Sequence, residues 1–137
     1  MEAVNRVDVE DIAKLILRIM VGGLLIFHGI SKIVHGIDFI GGSLTAHHLP
    51  TFIAYGVYVG EVLAPLFVIA GLWTRLSALV VVIDLVAAIL LVRLPFVFTM
   101  SKSGGWGMEQ DAFFLLGALV ICLIGPGRLR LGRRLAA

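Results

Sequence analysis

Ionisable side chains interrupt what is otherwise hydrocarbon: Arg18, His28 and Lys32 in the first apolar run, Glu61 in the second and Asp84 in the third. Such groups can pair as ions, donate hydrogen bonds to a ligand's oxygens, and pass protons, histidine and carboxylate being the usual relay. In a bilayer each costs about 2.5–3.5 kcal/mol on insertion scales, so they turn toward protein or trapped water. At about 100° per residue His28, Lys32 and His35 share one helical stripe, and Arg18 lies about 40° from Lys32 on the same count. The opposite face is Leu, Ile, Val and Phe, so the stripe is expected to point into a bundle.

The rest of the chain fits that setting. With 137 residues, 60% hydrophobic and 15% charged, and a mean hydropathy of +1.07, it reads as a one-domain integral membrane protein. A net charge of +2 is too small for a nucleic-acid partner, and the arginines are not interleaved with aromatics. One cysteine, Cys122, excludes an internal disulfide and any Cys-x-x-Cys chemistry. No basic n-region or small-residue cleavage site precedes the first helix, so that helix is expected to remain as an anchor.

Four helices carry these groups. Helix 1 is expected from Val9 or Ile12 to Val34, helix 2 over about Thr51 to Leu72, helix 3 over about Leu76 to Val92, and helix 4 from about Met108 to Ile124, stopped by Gly125-Pro126-Gly127. About 23 residues at 1.5 Å each span roughly 34 Å, enough for the hydrocarbon layer. Asp8, Glu10 and Asp11 suit the positive end of helix 1. Residues 35–50 form a long, partly amphipathic link, expected at the interface with Phe39, Ile40 and Leu44 dipping into lipid. Gly56, Gly60 and Ala64 make a ridge of small residues for close packing. Pro65 leaves the carbonyl of Glu61 without its usual N–H, which predicts a kink there.

The expected fold class is therefore all-α, an integral membrane antiparallel four-helix bundle. Arg6, Lys14, Arg75, Arg128, Arg130, Arg133 and Arg134 outweigh Lys32, Arg93 and Lys102 on the other side, so both termini are expected in the cytoplasm, N-in and C-in. Residues 1–11 read as an acidic cytoplasmic segment, 12–127 as the four-helix transmembrane domain and 128–137 as a basic cytoplasmic tail.

Leu17-Arg18, Gly22, His28-Gly29 and Lys32, the mid-helix Glu61, Gly71-Leu72-Trp73-Thr74-Arg75 and Gly125-Pro126-Gly127 together resemble the DoxX family. The resemblance covers about Ile12 to Gly127. It implies a small four-helix protein of the bacterial or archaeal cytoplasmic membrane, tied to redox and sulfur metabolism through likeness to a subunit of thiosulfate:quinone oxidoreductase. A more distant likeness to four-helix proteins of the vitamin K epoxide reductase type fails on chemistry, because those work with paired cysteines.

Two readings of the charges stand side by side. In the structural one, Arg18 pairs with Glu61 or Asp84 and His28 bonds Glu61, holding the helices in register. In the functional one, His28, Lys32, Glu61, Arg93 and Glu109 line an outward-opening pocket capped by Trp106 and loop aromatics. A quinone suits that pocket: His28 or Lys32 donates to its carbonyls, and Glu61 with His28 relays protons. No haem, flavin or iron–sulfur signature is present, so electrons would come from a partner subunit, and the chain is not read as an enzyme by itself. His28, His35, His47 and His48 lack diagnostic metal-ligand spacing. Alternatives are a small-molecule or proton-coupled carrier and a structural scaffold for soluble partners. The inward half offers Arg18 and little else, which weighs against a continuous path. Lipid is an expected contact, and the Gly56/Gly60 ridge permits a homo-oligomer.

Overall fold

The computed structural model describes residues 7–132, and those residues are helical apart from turns, loops and one isolated bridge between Met100 and Trp106. In chain order the helices are α1 (Val9–His35), the short α2 (Asp38–Ala46), α3 (Thr51–Ala70), α4 (Thr74–Phe96) and α5 (Glu109–Ile124). Three of them, α1, α3 and α4, are long and apolar enough to cross a membrane. The 16 residues of α5 extend about 24 Å. Arg6, Arg133 and Arg134 lie outside the described residues, as do residues 1–6 of the acidic segment and 133–137 of the tail.

Packing follows chain order: α1 lies against α3, α3 against α4, and α5 fills the space beside α4 and α1. Their shared core is aliphatic, built on Val21, Leu25, Val68, Val81, Leu85 and Ile121. Large side chains such as Phe27, Phe113 and Leu123 stand outward, as a lipid-facing surface requires.

The small residues that set the closest approach are on α1. A Cβ on Gly22 would lie 2.9 Å from the Pro65 carbonyl oxygen, and one on Gly29 would lie 2.7 Å from that of Glu61. Those separations are too short for any side chain. On the ridge expected in helix 2, Gly56 faces open space, whereas Gly60 receives the side chain of Asp84.

Arg18 overturns one expectation. It pairs with neither Glu61 nor Asp84; it is 1% exposed and donates to four backbone carbonyls, those of Val68 (2.8 Å), Ile69 (2.6 Å), Pro126 (2.7 Å) and Leu129 (2.6 Å). Helix α3 ends in a left-handed Gly71, with Leu72 N–H bonding Phe67 O and Gly71 N–H bonding Val68 O, a Schellman closure. Leu131 N–H takes the remaining Ala70 carbonyl. The last four carbonyls of α3 thereby all accept a hydrogen bond, and a guanidinium stands where the helix dipole is negative. That is the physical reason for the correction: a rigid fork of five donors is met better by clustered helix-end carbonyls than by one carboxylate. Asp11 secures the same end by accepting from the Arg128 N–H at 2.8 Å.

The 35–50 link is also corrected. Ile40 and Leu44 face protein rather than lipid, Leu44 being 0% exposed, and they pack with Ala54, Val57 and Leu91. Phe39 is exposed. Helix α2 thus closes over the ends of α3 and α4 as part of the protein.

Candidate functional site

Backbone irregularity positions the central acid. Because Pro65 has no N–H, the regular bond to the Glu61 carbonyl is missing, and the disturbance expected there takes the form of a π-turn over Val59–Leu63, in which Ala64 N–H reaches back to Val59 O. Glu61 is carried inward on this turn and is 5% exposed. Gly29 allows α1 to close on the same level, so the neighbouring Lys32 arrives directly: its Nζ donates to Glu61 Oε1 at 2.5 Å. Helix α4 has a second π-turn over Ile89–Arg93, ahead of Pro95.

Both π-turns border one cavity of about 530 Å³, to which all five helices contribute. Its wall is mainly aliphatic and aromatic, with a small set of polar groups: His28 and Lys32 from α1, Glu61 from α3, Asp84 and Arg93 from α4, and Gln110 and Asp111 from α5. Volumes of roughly 300–1,000 Å³ with a few convergent polar groups are typical of small-molecule sites.

Partnerships divide these groups. Arg93 lies 3.0 Å from Asp111 Oδ2, donates to Gly107 O at 3.1 Å, and stacks 4.8 Å over the Phe96 ring. His28 Nε2 is 2.8 Å from Gln110 Nε2, and its ring meets Phe114 edge-on at 5.6 Å. The His28–Glu61 bond expected from the sequence is therefore replaced by one to Gln110, across to α5. Asp84 packs on Gly60, which has no side chain to block it. Two carboxyl oxygens, Glu61 Oε2 and Asp84 Oδ2, are buried with no hydrogen-bond partner among the described residues.

Of the residues singled out in the sequence, His28, Lys32, Glu61, Asp84 and Arg93 meet at this cavity, and Arg18, Glu109 and Trp106 do not. Glu109 lies against Gly105, and the Trp106 indole donates to Val97 O at 2.5 Å within the 97–107 loop. Phe39, Ile40 and Leu44 of α2 take part in the wall where Trp106 was expected as a cap. Gln110 and Asp111 were missed. Residues two apart, such as Glu109 and Asp111, cannot share a face, and it is the packing of α5, with Phe114 on the cavity wall, that turns Gln110 and Asp111 inward. Among the described residues no three His, Cys, Asp or Glu side chains gather so as to hold a metal ion.

Three comparisons with known proteins bear on this arrangement. The DoxX family model matches residues 13–94. The chain is 34% identical over 130 residues to "Uncharacterized membrane protein Rv3486" of Mycobacterium tuberculosis, covering 88% of this chain and 79% of that one. It is 30% identical over 117 residues to "Putative oxidoreductase CatD" of Bacillus subtilis, covering 84% and 81%. No solved structure matches the chain.

Proposed function

This chain belongs to the DoxX family, and from that premise we propose that it is the membrane subunit of a quinone-linked oxidoreductase system, holding a quinone-type ring in the cavity between its helices. The observation that carries the reading is the joining of Lys32–Glu61, Asp84, His28 and Arg93 on one apolar cavity of about 530 Å³. The name of the Bacillus subtilis relative, "Putative oxidoreductase CatD", supports the redox side. A ring of this class fits the wall: Phe39 and Phe114 offer apolar faces, while Lys32 and His28 offer donors for ring oxygens. Bound there, the ring would carry electrons; the chain's own residues bind it, exclude water and hold protons. Electrons enter from a partner subunit.

In this reading α5 is a fourth span, its shorter length met by local thinning of the bilayer, and the termini are both cytoplasmic in a bacterial or archaeal inner membrane. The pocket is preferred to a carrier path because Arg18, the main polar group toward the other end, commits its donors to backbone carbonyls. Native mass spectrometry of protein extracted in mild detergent tests the proposal. A quinone-mass adduct is expected, and it should be lost in Gly56→Leu, where an added side chain enters open space on the cavity wall. An adduct retained in full by Gly56→Leu, or its absence from wild type even after addition of a decyl-chain benzoquinone, would refute it.

A further inference from the structure

The unpartnered atoms of the cavity specify the redox form of its ligand. Glu61 gives Oε1 to Lys32 and leaves Oε2 buried without a partner; Asp84, seated on Gly60, leaves Oδ2 in the same condition. Both residues are on the cavity wall with Lys32. The other cation there, Arg93, is engaged by Asp111 and the Gly107 carbonyl. A buried acceptor left unsatisfied costs about 1–3 kcal/mol, and more when charged, so a well-matched ligand brings hydrogen to these oxygens. A quinone carbonyl only accepts. It can accept a hydrogen bond from the Lys32 ammonium, but it has no hydrogen to donate to Glu61 Oε2 or Asp84 Oδ2 and sets its own lone pairs against theirs. A ring hydroxyl does both, accepting from Lys32 and donating to a carboxyl oxygen.

We propose that the cavity selects the reduced, hydroxyl-bearing quinol over the corresponding quinone, with Glu61 and Asp84 as acceptors of the ligand's O–H groups. This rests on the reading of the cavity as a quinone-type site. It adds a direction, because tighter binding of the reduced form makes the bound pair easier to reduce than the free pair. Gly60 becomes a positioning residue, since any side chain there would collide with the Asp84 carboxyl group.

The test is anaerobic equilibrium binding to the full-length protein in lipid nanodiscs. Three probes share one ring and one decyl chain: the dimethoxybenzoquinone, its two-electron-reduced quinol, and that quinol with both hydroxyls methylated. The expected result is quinol binding at least tenfold tighter than the quinone, with the methylated compound no better than the quinone. Asp84→Asn, which replaces one acceptor oxygen by a donor, should bring the quinol-to-quinone ratio close to one. Equal affinities, or tighter binding of the quinone, would overturn the inference and leave the quinone site standing. Failure of all three to bind would overturn both. The wild-type ratio decides the matter even if Asp84→Asn does not fold.

Discussion

Lys32 on α1 and Glu61 on α3 meet at 2.5 Å, and the meeting depends on two residues that carry no charge. Pro65 forces the π-turn that brings Glu61 inward, and Gly29 lets α1 close on the Glu61 carbonyl. Removing one member of a buried pair strands the other, at about 3–5 kcal/mol, and the partial exposure of Lys32 places this pair at the lower end. Lys32→Met and Glu61→Gln are each expected to lower the melting temperature in detergent, whereas Lys32→Met with Glu61→Leu recovers part of the loss. A double variant that loses the sum of the two single losses would show that the pair has no coupling.

Arg18 is expected to be needed for folding and to have no direct part in ligand binding. Its four carbonyl partners lie on α3 and on the segment after α5. Bonds to a charged donor contribute about 1.5–3 kcal/mol each and do not simply add. Arg18→Ala should abolish the monodisperse peak in size-exclusion chromatography. Arg18→Lys, a point charge with three donors instead of a five-donor fork, should lower the yield sharply without rescuing stability. A stable Arg18→Ala protein with selectively weakened quinone binding would contradict this assignment.

The glycines of α1 separate packing from propensity. Gly22 and Gly29 face the backbone of α3 at distances that leave no room for a methyl group, whereas Gly23, next to Gly22 in the sequence, faces open space. Gly29→Ala should cost about 1–3 kcal/mol as overpacking, and Gly23→Ala should be neutral or gain up to about 1 kcal/mol from better helix propensity. Thermal melts of the two variants side by side provide the measurement. Similar effects at both positions would place the α1–α3 contact elsewhere.

Two acids only two residues apart should behave differently. Asp111 holds Arg93 at the cavity, and Glu109 lies against Gly105 beyond it. Asp111→Asn is expected to weaken binding of the decyl-chain probes several-fold by releasing Arg93, and Glu109→Gln to leave it unchanged. Titration of both variants in nanodiscs checks this; a larger loss from Glu109→Gln would return that residue to the site.

Membrane topology is open to direct labelling. In a Cys122→Ala background, Lys102→Cys should react with an impermeant maleimide from outside intact cells, and Arg75→Cys only after lysis. Reaction of Arg75→Cys from the outside, with Lys102→Cys reacting only after lysis, would invert the proposed orientation, and reaction of both from the outside would show that α4 does not cross.

Much of this was legible in the chain because the bilayer makes local composition decisive. A run of apolar residues has to be a helix where water cannot satisfy its backbone, and Arg18, His28, Lys32, Glu61 and Asp84 stood out against such runs. Their inward direction followed from the cost of leaving them in lipid. Composition and spacing could not assign partners. Arg18 left the group because the carbonyls ending α3 and those after α5 converge on it, a meeting of segments about 50 and 110 residues away that no helical period encodes. Glu109 gave way to Gln110 and Asp111 because the rotation of α5 about its axis is set by what it packs against, and α2 turned Ile40 and Leu44 into protein because α3 and α4 were there to receive them. The sequence by itself determined that the four long apolar segments are helical and which groups must avoid lipid, though not that Asp38–Ala46 is a helix; only the packed helices decided which of those groups met, since pairing depends on helix rotation and distant chain ends rather than on local spacing.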